Sequence, residues 1–403
     1  MKQANAVRIF LSFAAAYFMS YSLRSVNAAL APLLASDLNL SAAQLGWLSS
    51  AYFLSFAALQ LPLGVWLDRF GARLTESVLL LVAVLGAVIV ASSSSLLALS
   101  VGRILIGLGV AGNLMAPYAY FRRNFPASRQ AQLAMWMLIA GTLGAIVATQ
   151  PALQLGLWLG WRAVFWLAAG LLLLCALTIY VWGHEPTAPA NSSSTKPQAL
   201  SIMQVLVHPQ MRRVIPTTIF FSGGFVAIQS LWAGPWLTIV LGKTPAQAGQ
   251  ILLYFNIGLL LSYVVMSIVS PQLEKRGLPL ARQSIIAFAW FASAICILVL
   301  WRGEWSWIVL MALTPCVPAV ILMQTQTAMR FPVHMAGRAL TSFNLVMFAA
   351  GFGLQWGIGL LVDLFQIFGS LERSAMIQSF ACLGMLQVLT LIWFVTRPPV
   401  QHG

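Results

Sequence analysis

Apolar runs of about 20 residues, each long enough to cross roughly 30 Å of hydrocarbon as a helix, recur along this chain from end to end. In lipid every backbone N–H and C=O has to be satisfied within the protein, which leaves bundled helices as the natural outcome of such a pattern. Reading the runs between polar punctuation predicts twelve spans, near 9–33, 42–66, 75–95, 97–121, 131–153, 161–183, 214–241, 246–269, 282–301, 305–327, 337–362 and 374–396. The predicted fold class is an all-α integral membrane protein of two six-helix bundles, 1–183 and 214–403. A polar linker, 184–213, joins them; Pro186, Pro189, Asn191 and Pro197 give it the composition of a flexible connector. The first run follows Lys2 and Arg8 as a signal peptide would, but its length and the polar Arg24 and Asn27 make it a retained span.

Composition supports this. Of 403 residues, 60% are hydrophobic and 7% charged, against about 25% charged in soluble proteins, so a soluble enzyme is excluded. The net charge of +14 suggests nucleic acid only until the charges are placed. With the N-terminus inside, 16 of the 22 Lys and Arg fall on one side of the bilayer and 4 on the other, and Arg24 and Arg103 remain within spans. Cytoplasmic loops are enriched in Lys and Arg, so both termini are predicted to be cytoplasmic, in a bacterial-type inner membrane, with no nucleic-acid partner.

The halves also echo each other at an offset of 203 to 206 residues. Ser41-Ala-Ala-Gln44-Leu-Gly46 is matched by Thr244-Pro-Ala-Gln247-Ala-Gly249, and Pro32 by Pro235. Leu67-Asp68-Arg69-Phe70-Gly71 is matched by Leu273-Glu274-Lys275-Arg276-Gly277, and Phe125-Pro126 by Phe331-Pro332. Four matches in register argue for a duplicated six-helix unit, an arrangement that lets two bundles rock about a midplane site.

Gly64-x-x-x-Asp68-Arg69-x-Gly71-x-Arg73 after the second span, with its weaker copy at Glu274, Lys275 and Gly277, resembles the signature loop of the major facilitator superfamily of secondary transporters. Arg103-x-x-x-Gly107-x-Gly109 resembles the second motif of that superfamily, and Trp161-Arg162 fits its pattern. The resemblance covers essentially the whole chain. It implies that the Asp68 loop is a latch closing the cytoplasmic side in the outward-open state; the alternative is that these basic residues only orient the protein.

Charges inside spans are costly and mark function by default. Arg24 and Arg103 both fall in the outer half, and no Asp or Glu lies in mid-span. Two guanidiniums without a counter-charge call for an anion between them, and arginine suits bidentate carboxylate or phosphate. Tyr17, Tyr21, Arg24 and Asn27 recur at helical spacing on one face of the first span. The predicted substrate site therefore combines Arg24, Arg103, Tyr21 and Asn27, completed by Gln229, Trp232 and Asn344 from the other half. Tyr254, Asn256, Gln324 and Gln355 are further polar candidates, and any of these groups can instead hydrogen-bond a neighbouring helix. Pro235 is expected to break the seventh span and expose carbonyls beside Gln229 and Trp232. Arg103 belongs to a motif shared by facilitators of many substrates, so a structural role stands beside the binding one.

Tyr21-x-x-Arg24 resembles the first span of organophosphate:phosphate antiporters, but Ala227 stands where those carry a second arginine. Arginines in the first and fourth spans resemble anion:cation symporters of sugar acids and carboxylates. The leading expectation is secondary or exchange transport of a small anion, an organic acid, by alternating access. Proton coupling is left to the substrate, to Glu76 or Asp363 at span ends, or to neither, and a counter-anion is the other coupling partner considered. The rivals are a proton-coupled exporter of drugs or metabolites and a transporter-like sensor. Cys175, Cys296, Cys316 and Cys382 are isolated and no nucleotide-binding loop is present, so no metal, cofactor or enzymatic activity is expected, and the chain is read as a monomer.

Overall fold

The computed structural model describes residues 3–183, 198–329, 331 and 333–397. Residues 184–197 of the expected 184–213 linker, Lys196 among them, lie outside the described residues, and its remainder is largely helical rather than a flexible connector. Among those described, the architecture is helical with no strand: α1 Gln3–Leu38, α2 Ala42–Ser92, α3 Leu96–Gly109, α4 Met115–Asn124, α5 Ala127–Val147, α6 Gln150–Leu159 and α7 Trp161–Trp182. There follow α8 Gln198–Val207, α9 Pro209–Val240, α10 Pro245–Lys275, α11 Leu280–Leu300, α12 Trp307–Met311, α13 Cys316–Met329, α14 Val333–Ile367 and α15 Glu372–Thr396. Every expected span overlaps one or two of these helices. Eight stretches are long and apolar enough to cross a bilayer, or nine if α5 and α6, bent by 42°, are one span.

Three features depart from the simple pattern. The second and third expected spans follow each other directly: α2 is two helices meeting at Gly71, whose non-helical φ of 77° and ψ of 167° suit only glycine. The fourth and tenth expected spans are each interrupted in the middle, α3 from α4 by 110–114 and α12 from α13 by 312–315. Pro235 does not break its span. The chain stays helical through it, with φ of −54°, and passes instead into wide π-helical turns on either side. A π turn spares the proline ring its clash with the preceding carbonyl by lengthening the ladder.

The duplication is visible in the backbone. The described residues with positive φ are Asn39, Gly71, Gly160, Gly242, Gly277 and Gly369; Asn39 with Gly242 and Gly71 with Gly277 pair at the repeat offset, and Gly160 with Gly369 three positions beyond it. Both copies of the second helix of a unit begin with a reciprocal cap of the same dimensions. Ser41 N donates to Gln44 Oε1 at 3.0 Å and Gln44 N to Ser41 Oγ at 3.3 Å; Thr244 N and Gln247 N repeat this at 3.0 and 3.3 Å. Arg162 bonds Asp37 at 2.7 Å, and its counterpart Arg373 bonds the Val240 carbonyl at 3.0 Å. The salt bridge of the first half is thus replaced by a carbonyl bond in the second.

By internal contacts the chain forms two compact units, Met1–Asn39 with Trp47–Thr195, and Leu40–Gly46 with Lys196–Gly403. In the first, α1 packs on α5, α6 and α7. Gly144 of α5 lies against the Phe18 backbone, and Ser22 Oγ reaches the Gly144 carbonyl at 2.9 Å. Small residues at such seams let helix backbones approach in lipid, where burial of apolar surface gives no drive. In the second unit Asp363, expected at a span end, caps α2, accepting from Ser41 Oγ at 2.8 Å and Ala43 N at 3.1 Å.

Candidate functional site

The stripe on α1 is real in space. Tyr17 and Tyr21 meet edge to face at 5.0 Å between centroids, and the Arg24 guanidinium sits 4.0 Å over the Tyr21 ring. Both Tyr21 and Arg24 are half-buried. Room for the rings comes from Gly141 of α5, where a Cβ would fall 2.6 Å from Tyr17 Cε1. A cation over an aromatic face is steadied by the ring quadrupole while its N–H fork remains free to bind. Among the described residues Arg24 has no carboxylate partner.

Arg103 occupies a different environment. It is only 2% exposed, donates from Nη1 to the Leu23 carbonyl at 3.2 Å, and lies 5.4 Å over the Tyr52 ring. Tyr52 in turn donates to the Ser20 carbonyl at 3.3 Å. The motif glycines explain why α3 comes so close: a Cβ at Gly107 would strike the Tyr52 carbonyl, and one at Gly109 the Ala83 backbone. Arg103 is therefore brought against α1 one residue before Arg24, holding the backbone from which Arg24 projects. Asn27 is buried and donates to Ser49 Oγ at 2.8 Å, which leaves its Oδ1 without a partner.

The candidates of the second unit are hydrogen-bonded to one another or to backbone. Gln229 Nε2 donates to Asn256 Oδ1 at 3.0 Å, and Asn256 donates to the Leu252 carbonyl at 3.0 Å. Trp232 Nε1 donates to the Gln355 carbonyl at 3.0 Å, and Gln355 Nε2 to Ser230 Oγ at 2.6 Å. Asn344 is half-buried and Tyr254 exposed, accepting from Gln250 at 2.8 Å. Gln324 is buried with its Nε2 unpartnered.

In the loop after α2's first half, Gly71 makes the turn, Arg69 lies 5.2 Å over Phe70, and Arg73 lies 4.6 Å over Tyr180 of α7. Gly64 is half-buried, and the side chain of Asp68 lies outside the described residues. The second copy repeats the turn at Gly277 with φ of 87°, with Glu274 and Lys275 exposed.

Sequence reasoning missed one buried polar group of the first unit, Asn113, and the burial of another, Glu76, named from sequence only as a span-end candidate for proton coupling. Asn113, in the α3–α4 interruption, donates to the Ala16 carbonyl at 2.6 Å. Glu76, placed at a span end by hydropathy, is fully buried with neither carboxyl oxygen partnered. Shifted by one position from the register of Gly71 and Gly277, Thr75-Glu76-Ser77 stands against Arg282-Gln283-Ser284, with a buried polar residue at the centre of each. Among the described residues no cluster of His, Cys, Asp or Glu is arranged to hold a metal, and all four cysteines are unpaired.

Known proteins resemble this chain as follows. The profile of the Major Facilitator Superfamily matches residues 13–354. The inner membrane transport protein YdhP of Escherichia coli strain K12 is 24% identical over 57% of each chain, so the match spans a little over half of that relative. The hexuronate transporter of Bacillus subtilis strain 168 is 26% identical, over 69% of this chain and 68% of its own. A D-xylose–proton symporter of solved structure superposes with a TM-score of 0.75 over 98% of both chains at 16% identity, a likeness of fold.

Proposed function

Since this chain belongs to the Major Facilitator Superfamily, and is accordingly a multi-pass membrane transporter and not an enzyme, we propose that it carries a small organic anion by alternating access. The observation that carries this reading is Arg24: a half-buried guanidinium steadied on Tyr21, with no carboxylate to neutralise it among the described residues. A fixed cation in a span is matched by the ligand or by nothing. Arg24 is the anion ligand, Tyr21 its platform and Asn27 Oδ1 an additional acceptor for a substrate hydroxyl. Arg103 acts as a positioning residue through the Leu23 carbonyl. The relative named for hexuronate, a hydroxylated carboxylate, supports this substrate class. The inner membrane as location, with both termini cytoplasmic, is part of the same proposal and rests on the Lys and Arg asymmetry.

The test is counterflow in proteoliposomes with labelled glucuronate, a dicarboxylate, an organophosphate and neutral xylose. Arg24→Ala removes charge-assisted bonds worth about 1.5–3 kcal/mol, so uptake of the preferred anion falls about tenfold to a hundredfold. Undiminished anion uptake by folded Arg24→Ala, or preference for xylose, overturns the reading.

A further inference from the structure

Five residues beyond the Gly71 turn, Glu76 is buried at 0% exposure, and both of its carboxyl oxygens lack a hydrogen-bond partner. An amide, Gln283, stands at a comparable place in the second half, one position off the register that pairs Gly71 with Gly277. Gln283 is also buried, but it accepts from Ser270 Oγ at 2.8 Å and donates to the carbonyls of Ser270 at 3.1 Å and Leu278 at 2.9 Å. The residue corresponding to Ser270 in the first half is Gly64, at the offset that pairs Gly71 with Gly277. Gly64 has no hydroxyl to offer. One half thus closes this slot with a neutral, fully bonded amide; the other puts an ionisable group there and withholds the partner.

Among the described residues no counter-charge is paired with Glu76. From the α3–α4 interruption the contact is Gly112, where a Cβ would lie 2.5 Å from Glu76 Oε2, so the carboxyl is pressed directly on that backbone. The next residue, Asn113, is neutral and has its amide bonded to Ala16. From α7 the ionisable neighbour is the Cys175 thiol. On its own helix Arg73 is directed to the Tyr180 ring at 4.6 Å. An ionised carboxylate there would be uncompensated, whereas the neutral acid has the shape and charge of the amide that fills the other copy.

We propose that Glu76 is a proton-binding site of this transporter, taking up a proton when enclosed against the Gly112 backbone and giving it up when that irregular segment moves away. The step is a bare protonation of carboxylate to acid and needs no co-reactant. The inference requires that the chain be a transporter; it does not require that the cargo be an anion or that Arg24 bind it.

The decisive measurement is infrared spectroscopy of the full-length protein in lipid vesicles, titrated from about pH 4, near the ordinary Glu value of about 4.3, to about pH 9. The expected result is a carboxylic-acid carbonyl band of a non-hydrogen-bonded group that titrates in the wild type, is lost in Glu76→Gln and is displaced in Glu76→Asp. Gln is the residue of the other copy, and Glu76→Asp supplies the answer if the amide variant does not fold. No such band in the wild type, or the same band in Glu76→Gln, overturns the proposal. A second arm follows glucuronate uptake under an inward proton gradient. Glu76→Gln keeps counterflow at equal pH and loses the acceleration by the gradient; an acceleration equal to wild type overturns coupling through Glu76. If wild type carries none of the anions offered, the anion reading fails while the infrared titration still decides this site.

Discussion

At the residue scale, Arg24 and Arg103 separate binding from support. Arg103→Ala removes the bond to the Leu23 carbonyl and empties space beside Tyr52, at a cost of about 1.5–3 kcal/mol for a hydrogen bond from a charged group. Its thermal unfolding midpoint in detergent is expected to fall clearly, and Arg103→Lys to restore little, because an ammonium lacks the planar fork. Arg24→Ala, half-buried and stacked on one ring, is expected to unfold within a degree or two of wild type while losing transport. A reversed order, with Arg24→Ala the less stable, would exchange the two roles. The stripe of Tyr17, Tyr21 and Arg24 was legible in the sequence because helical spacing alone puts these positions on one face. The support of Arg103 was not, since Leu23 lies 80 positions away in the chain.

At the element scale the informative positions are those where helices turn or touch. Gly71 holds φ of 77° and ψ of 167°, a region that costs a residue with a Cβ about 1–3 kcal/mol. Gly71→Ala is expected to lower the unfolding midpoint, and Gly277→Ala, at φ of 87°, to do the same to a similar degree. The check is a differential thermal melt of the two variants and their double. Gly144 of α5 differs in kind: its φ is ordinary, but a Cβ would collide with the Phe18 carbonyl. Gly144→Val overpacks the α1–α5 seam, again about 1–3 kcal/mol, and is expected to reduce the yield of monodisperse protein. The capping boxes at Ser41 and Thr244 were readable in advance because a cap involves four consecutive residues. The continued helix through Pro235 was not, because π turns absorbed a proline that sequence rules treat as a break.

At the scale of the whole molecule the duplication ties these details together. Paired positive-φ residues, paired caps and the Arg162 and Arg373 contacts show the same local devices recurring in both halves. Departures from the pairing then acquire meaning, as with Glu76 opposite Gln283. The proposed topology, with both termini cytoplasmic, rests on the Lys and Arg asymmetry, 16 against 4, and is testable by cysteine labelling of intact cells in a background free of native cysteine. Ser94→Cys and Lys243→Cys are expected to react with an impermeant maleimide from outside, and Arg123→Cys and Lys275→Cys only after the membrane is opened. The opposite labelling would invert the assignment.

The sequence by itself determined the helical membrane class, the approximate spans, the duplication and the polar face of α1. Each of these rests on hydropathy, on caps or on spacing within a few turns, which neighbouring residues decide among themselves. Only the tertiary structure decided which buried polar groups find partners. Gln283 and Glu76 sit within one position of each other in the repeat register, yet one meets a serine hydroxyl and two carbonyls and the other meets the bare backbone of Gly112. Hydrogen bonding at contact distance depends on where distant segments arrive, and no local pattern carries that information.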